Sequence, residues 1–235
     1  MKSNQYDWMN AIKEKFKSFP RIYHCLVVVF SPVYSDRKYR QLIKSLSKND
    51  IILNLGSGSY KLSPSIINVD ISPYKNVDVV ADICTLPFPD NFIDGIINIA
   101  VLEHIPNPNI AVNEMRRILK PGGLIFSVIP FTLGYHASPY DYTRWTRSGT
   151  ETLFSGFDKI EIGICGGPTS AFLWILQEWL ATLLSFNIPC LYRLLLFLFM
   201  FLTFPLKWLD FILGRYKSAT NIASNFYFFG RKTSV

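Results

Sequence analysis

The sequence has few of the side chains that bind transition metals. Its four cysteines, Cys25, Cys84, Cys165 and Cys190, stand singly, and it has three histidines. No C-x-x-C pair or other zinc-like spacing occurs, so the sequence predicts no metal site. Isolated cysteines of this kind are expected to be reduced and mostly buried.

Long runs of one charge are also missing. The net charge is +7, but the 24 lysines and arginines are scattered along the chain. The densest basic groups, residues 13–17 and 37–40, do not continue into longer runs, which argues against a nucleic-acid partner. The N-terminus is polar as far as Lys17, so no cleavable signal peptide is predicted and a cytoplasmic location is expected.

The chain lacks an uninterrupted apolar run of about 20 residues, which a membrane-spanning helix needs. Residues 22–30 are too few, and charged or proline residues interrupt the apolar stretch 169–213. Side chains such as those of residues 194–202 each forgo about 1.5–3 kcal/mol when left in water, so they require protein or lipid around them. Because the chain is 49% hydrophobic and also basic, we expect a helical hairpin in the cytoplasmic leaflet, with a homodimer interface as the alternative.

The N-terminal part also contains helical patterns. Residues 6–17 carry apolar side chains at helical spacing with lysines between them, which suits either a basic helix on a bilayer or a helix packed on the domain. We expect residues 1–47 to form helices that cover one face of the sheet, with His24 in their packing.

The most informative stretch is residues 51–59. Residues 51–55 are mostly branched and apolar, which predicts a strand buried on both faces, and Gly56-Ser57-Gly58 forces a tight turn after it. Open α/β sheets bind nucleotide-like ligands at such turns. The next predicted strands, 66–69 and 77–80, are followed by Asp70 and Asp82, although Asp70 could also serve only as a turn former.

The links between these strands are too short for full crossover helices. A dinucleotide-dependent oxidoreductase would show G-x-G-x-x-G at the start of a complete helix, and residues 60–64 cannot supply one. This class is therefore disfavoured.

The middle of the chain gives further strand and helix signals. Residues 95–99 read as a strand, and Asn107 before Pro108 predicts a helix start at which the asparagine side chain caps free amides. This helix is expected to end at residues 121–123 and to bury Ile110, Met115, Ile118 and Leu119. Residues 124–129, 159–164 and 224–232 read as strands, and 146–154 as a short helix.

In this order, the glycine turn, Asp70, Asp82, residues 86–91, Leu102-Glu103-His104 and residues 119–123 resemble class I S-adenosylmethionine-dependent methyltransferases. The resemblance covers about residues 51–131, and is closest to bacterial enzymes of surface-polysaccharide and lipid-linked glycan pathways. It implies a Rossmann-like α/β fold with a seven-stranded sheet, shortened first crossovers and an antiparallel last strand. The catalytic domain would then be residues 48–168 and 219–235, with 169–218 as an apolar helical insertion.

The resemblance also implies S-adenosylmethionine as the cofactor. The glycine turn would hold its methionine part, Asp70 its ribose, and Asp82 with Ile83 its adenine. The implied cofactor-binding residues are Asn54, Gly56, Ser57, Gly58, Asp70, Ile71, Asp82, Ile83 and Ala100. Asn54 departs from the family pattern, in which an acidic residue is usual, because asparagine keeps an acceptor oxygen but loses the charge.

The long aromatic loop 130–145 is too long to be a plain connector. It resembles the H-x-x-P-x-D-Y-x-R-(Y/W)-T segment of these enzymes, which lies over the methyl group. A hydroxyl acceptor would need a general base, for which His136 is preferred to His104, with Asp141 fixing the tautomer of His136. The expected substrate-binding residues are Glu103, Tyr140, Tyr142 and Arg144. Alternatively, Glu103 and His104 organise the helix start, and Asp141 pairs with Arg144.

The expected function is methyl transfer to a glycan, a lipid-linked precursor or another small envelope precursor at the inner face of the membrane. The alternative is a membrane-associated protein that keeps the fold without turnover, which Asn54 suggests.

Overall fold

The computed structural model describes residues 39–233, apart from Lys48 and Ser59. The chain divides into two units. The sheet unit contains the described residues of 39–131, 140–165 and 225–233, and the helical unit contains 132–139 and 166–224. The predictions for residues 6–17 and 22–30, for His24 and for Cys25 lie outside the described residues.

The sheet unit is a mixed α/β structure. Its described residues form seven strands: β1 (Ile52–Leu55), β2 (Ile67–Asp70), β3 (Val79–Val80), β4 (Ile93–Ile99), β5 (Leu119–Pro130), β6 (Phe157–Gly166) and β7 (Asn225–Lys232). The order in the sheet is β3-β2-β1-β4-β5-β7-β6. The first five strands are parallel, and β7 pairs antiparallel with β5. This is the Rossmann-like sheet with an antiparallel last strand that the resemblance implies.

Apolar side chains cover both faces of this sheet. The described helices of the unit are α1 (Arg40–Ser45), α2 (Pro108–Ile118) and α3 (Arg147–Leu153). On one face Leu42 of α1 belongs to a buried cluster with Ile52 and Ile97. On the other face the core includes Met115 and Ile118 of α2. Helix α1 thus covers part of the sheet face that the short crossovers leave open.

Helix α2 begins as predicted but differs in three details. Asn107 is its N-cap residue and Pro108 its first residue, yet the Asn107 side chain makes no capping hydrogen bond. Ile110 is 50% exposed, because the buried face is formed by Ala111, Val112, Met115 and Ile118. The helix ends at Ile118 rather than at 121–123, since the proline and glycines that follow cannot continue a helix and the chain enters β5 directly.

The helical unit contains the apolar insertion between β6 and β7. Its described helices are α4 (Pro168–Leu184), α5 (Pro189–Thr203) and α6 (Asp210–Leu213), with 3-10 segments at Phe204–Leu209 and Lys217–Asn221. Helices α4 and α5 pack as a hairpin. In this unit Cys190 is exposed, contrary to the expectation of buried cysteines. Among the described residues, the stretch Pro189–Leu213 alone is long and apolar enough to cross a membrane.

A buried carboxylate ties the start of the insertion to its end. The N-cap of α4 is Gly167, which has no side chain to cap the helix. Asp210 replaces it: Oδ1 accepts from Thr169 N at 2.7 Å, and Oδ2 accepts from Ser170 N at 2.8 Å and from Ser170 Oγ at 2.5 Å. A Cβ on Gly167 would lie 2.5 Å from this carboxyl group, so glycine is required where Asp210 approaches.

Candidate functional site

The glycine turn follows β1, and hydrogen bonds attach it to the carboxyl end of β2. Gly56 and Gly58 have φ of +69° and +54°, in the left-handed region. The backbone N–H groups of Gly56 and Ser57 donate to Val69 O at 2.8 and 3.2 Å. A Cβ on Gly56 would lie 2.3 Å from Val101 Cγ2, whereas a Cβ on Gly58 would meet nothing within 4 Å. Packing therefore requires glycine at 56, while at 58 the backbone stays open to close approach.

Asp70 ends β2 and holds this turn. Its Oδ2 accepts from Gly58 N at 2.8 Å, its Oδ1 accepts from Ser72 N at 2.9 Å, and the residue is 8% exposed. A carboxylate offers about four lone-pair sites, so each oxygen can still accept another hydrogen bond, such as one from a hydroxyl group.

Asn54 lies beneath the turn in a buried polar network. Its Nδ2 donates to Asn68 Oδ1 at 3.1 Å, and Asn68 Nδ2 donates to Tyr60 O and Asn76 O. Asn68 was not among the residues predicted from the sequence, although an asparagine in an otherwise apolar strand is a signal for such a network, and it is fully buried.

Two exposed apolar side chains and one exposed carboxylate continue the same edge. Ile71 and Val80 are 69% and 57% exposed. Asp82 is exposed, and its Oδ1 accepts from Cys84 N at 2.8 Å. Ile83 is buried in the core, so its side chain is not exposed to a ligand. Burial and the neighbouring Asp82 raise the pKa of the Cys84 thiol to about 11.

At the end of β4, the neighbour of β1, Ala100 has φ +53° and its N–H donates to Val128 O at 2.9 Å. Positive φ is uncommon for a residue other than glycine, and such strained positions cluster at functional sites. Gly56, Gly58 and Ala100 thus stand in left-handed conformations just beyond two neighbouring strands.

A second group of predicted residues surrounds the 3-10 turn Leu102–His104. His104 Nδ1 lies 2.6 Å from Tyr140 O. Because a carbonyl only accepts, we assign a proton to Nδ1. Nε2 lies 4.0 Å from Oε1 of the buried Glu103. Tyr142 N donates to Glu103 O at 2.7 Å, so the aromatic loop is fastened to this turn at two points.

Asp141 and Arg144 form a bidentate ion pair. Arg144 Nη1 and Nη2 donate to the two Asp141 oxygens at 2.5 and 2.6 Å, and the Asp141 side chain is 1% exposed. The pairing of Asp141 with Arg144, which the sequence offered as an alternative, is therefore observed, and a role of Asp141 toward His136 stays a prediction. The rings of Tyr140 and Tyr142, both exposed, lie side by side with centroids 5.8 Å apart.

His136 belongs to the helical unit. Its Nδ1 lies 3.0 Å from Gly134 O, and its ring centroid lies 5.6 Å from that of Trp174 on α4. A Cβ on Gly134 would lie 2.3 Å from Trp174 Nε1. Trp174 is a neighbour of His136 that the sequence analysis did not identify, because the two are far apart along the chain.

The predicted cofactor residues of the sheet unit thus come together at the carboxyl ends of neighbouring strands. The turn follows β1, Asp70 and Ile71 lie at the end of β2, Asp82 follows β3, and Ala100 follows β4. The described glycine turn, Asp70 and Ala100 are linked to these strands by backbone hydrogen bonds.

Comparisons with known proteins agree with this arrangement. Residues 56–127 match a family model described as a methyltransferase domain. The comparison with curated proteins gives no match.

Several solved structures share the fold. One is a chain from the complex between the Haloferax volcanii Trm112 methyltransferase activator and the putative methyltransferase: 15% identity, 94% of this chain and 97% of that chain covered, TM-score 0.54. Another is a putative methyltransferase from Bacillus halodurans C-125. The two sequences are 15% identical, the match covers 84% of this chain and 100% of that chain, and the TM-score is 0.52. A third is the 4+2 cyclase SpnF. The two sequences are 16% identical, the match covers 85% of this chain and 81% of that chain, and the TM-score is 0.53.

Proposed function

We propose, from the premise that residues 56–127 form a methyltransferase domain of the class I fold, that this chain transfers a methyl group from S-adenosylmethionine to an acceptor carried by the membrane. The domain and its structural neighbours imply this cofactor. The observation that carries the proposal is the junction of β1 and β2, where the carboxylate of Asp70 holds the backbone of Gly58.

The residues at this junction fit an adenosyl sulfonium. The side of Gly58 that a Cβ would occupy has no atom within 4 Å, so its backbone can approach the methionine part. Asp70 retains acceptor sites for ribose hydroxyls. Ile71 and Val80 present apolar surface for an adenine ring, and Asp82 presents a carboxylate for its amino group. Asn54 would contribute through Oδ1, the atom that can accept a hydrogen bond, while one of its two amide N–H groups donates to Asn68.

When bound, the cofactor supplies an activated methyl group on a positively charged sulfur. The protein then has to hold an acceptor in line with that group, which reduces the entropy cost of the encounter. A hydroxyl acceptor must also lose a proton. His104 and His136 are the candidate bases, and Nδ1 of each lies within hydrogen-bond distance of a backbone carbonyl, which would fix the orientation of the ring.

The aromatic loop supplies the proposed acceptor contacts. The exposed rings of Tyr140 and Tyr142 offer flat apolar surfaces, and Arg144, paired with Asp141, fixes the loop backbone beside them. Glu103 is buried below this loop. Such a site suits a glycan or other small envelope precursor, and the exposed apolar insertion supports a lipid-linked form. A cytoplasmic location at the inner face of the membrane follows from this proposal.

A non-catalytic role is the alternative. Asn54 is engaged with Asn68 and provides no negative charge for the ammonium group of the cofactor. The likeness to the 4+2 cyclase SpnF also illustrates that the fold does not fix the reaction.

Labelled methyl transfer tests the proposal. The full chain is incubated with methyl-labelled S-adenosylmethionine and either the envelope lipid extract or the water-soluble extract of its source cells. We expect label in the lipid fraction, abolished by Asp70→Ala. Label confined to the water-soluble fraction would contradict the membrane-borne acceptor, and the absence of label from both fractions despite cofactor binding would support the non-catalytic alternative.

A further inference from the structure

The two long helices of the insertion expose apolar side chains along their whole length. On α4 the exposed residues recur at spacings of three and four: Phe172, Ile175, Trp179 and Leu183, each between 51% and 59% exposed. On α5 they are Leu194, Leu198, Phe201 and Leu202. Each helix of the hairpin therefore presents a continuous apolar stripe on its outer side.

Two polar contacts link the helices of the hairpin to each other. Gln177, which is 2% exposed, donates through Nε2 to Thr203 Oγ1 at 2.6 Å, and so links α4 to α5. The Tyr192 hydroxyl donates to Glu178, a second link between the same helices. Polar groups paired inside and apolar faces outside are the reverse of a water-soluble hairpin, and are typical of helices that have lipid as their solvent.

The exposed charges of the helical unit have one sign. Among its described residues, the exposed charged side chains are Arg193, Arg215 and Lys217. The two acidic residues are not exposed, since Glu178 is half-buried and Asp210 is buried as the cap of α4. The Arg215 guanidinium lies 4.3 Å from the centroid of the Phe211 ring. Cations beside an apolar surface complement anionic lipid headgroups, and they oppose pairing with a second copy that carries the same charges.

The hairpin tip sets the depth of insertion. No charged residue lies between Glu178 and Arg193, and the tip exposes Leu184, Phe186 and Ile188, with Phe186 at 79%. The six residues from Glu178 to the end of α4 at Leu184 rise by about 9 Å. This uncharged end of α4 is far too short to cross the ~30 Å hydrocarbon core.

We propose that the α4–α5 hairpin is a monotopic anchor for an anionic bilayer. Its tip and outer stripes lie in the boundary between headgroups and acyl chains, and Arg193, Arg215 and Lys217 contact lipid phosphates. The inference deepens the proposed function and rests on it for its biological role, since an anchor of this kind holds the chain at a membrane-borne acceptor.

Vesicle binding by the full chain tests this anchor. The probes are vesicles of phosphatidylcholine alone and vesicles that also contain phosphatidylglycerol, with flotation as the readout. We expect binding about tenfold or more tighter to the anionic vesicles. The triple variant Arg193→Gln, Arg215→Gln, Lys217→Gln should remove this preference. Phe186→Asp should weaken binding to both vesicles at least about tenfold.

Matched controls lie in the sheet unit. Lys75→Gln, Arg147→Gln and Arg231→Gln together remove the same charge from exposed positions, and Ile160→Asp alters an exposed apolar residue of β6; both should bind vesicles as the parent does. Equal binding of the parent to both vesicles, or to neither, overturns the proposal. A dimer in light scattering that Phe186→Asp dissociates would assign the surface to a second copy. Cofactor titration of the same samples reports separately on the proposed function.

Discussion

Gly56 and Gly58 show how two identical residues in one turn can carry different constraints. Both have positive φ, but only Gly56 is closely surrounded, by Val101. The sequence could predict the turn because glycine-serine-glycine after an apolar strand has few other structural uses. It could not assign the separate constraints, which depend on a side chain 45 residues further along the chain.

We expect Gly56→Ala to destabilise the protein by about 1–3 kcal/mol, because the new Cβ is strained and collides with Val101. Gly58→Ala should cost less stability and should instead weaken cofactor binding, since its Cβ would project to where the cofactor is proposed to contact the protein backbone. Thermal unfolding and cofactor titration of the two variants measure both effects. Equal loss of stability in the two variants would contradict this distinction.

Cys84 provides a pH-dependent prediction. Burial and Asp82 raise the pKa of its thiol from an ordinary value of 9.0 to about 11. The folded state therefore favours the neutral thiol: this contribution to stability is complete below about pH 9 and is lost as the pH rises through about 11. Alkylation of Cys84, followed by peptide mass mapping, should stay slow at pH 9 while the exposed Cys190 reacts. Rapid modification of Cys84 at pH 9 in the folded protein would contradict the raised pKa.

At the scale of elements, strands with branched apolar runs were predicted closely. Residues 51–55 and 95–99 fall within or beside β1 and β4, because central parallel strands are buried on both faces. Ends were less predictable: β3 keeps only two residues of the stretch expected at 77–80, and α2 ends before the proline and glycines. The length of a strand depends on its pairing with neighbouring strands, and the local sequence pattern does not show which residues pair.

The cap of α4 is an element-scale feature that the sequence hides. Asp210 lies 41 residues after Thr169, and Gly167 gives no sign that its helix is capped. We expect Asp210→Ala to leave two buried N–H groups unsatisfied and to cost about 1–3 kcal/mol, while Asp210→Asn, which keeps one acceptor oxygen, should cost less. Hydrogen exchange should show early opening at the start of α4. Unchanged protection there would argue against the cap.

At the scale of the whole molecule, the sequence predicted the class of fold and the position of the insertion. The seven-stranded sheet and the antiparallel β7 were implied by the family resemblance that the glycine turn and the acidic strand ends carry, and the apolar helices before β7 by a long apolar stretch. The strand order comes from the structure. The acceptor could not be predicted, because the sequence around residues such as Tyr140 and Tyr142 does not specify which molecule their side chains bind. The same limit applies to the choice between His104 and His136.

The most direct measurement is calorimetric titration of the full chain with S-adenosylmethionine. We expect one binding site per chain, and we expect the affinity to be about 10- to 100-fold weaker in Asp70→Ala because a hydrogen bond to a charged group is lost. Asp158→Asn, an exposed carboxylate on β6, should bind as the parent does. If the folded parent gives no heat of binding on titration, or if Asp70→Ala binds the cofactor as tightly as the parent, the central claim is contradicted.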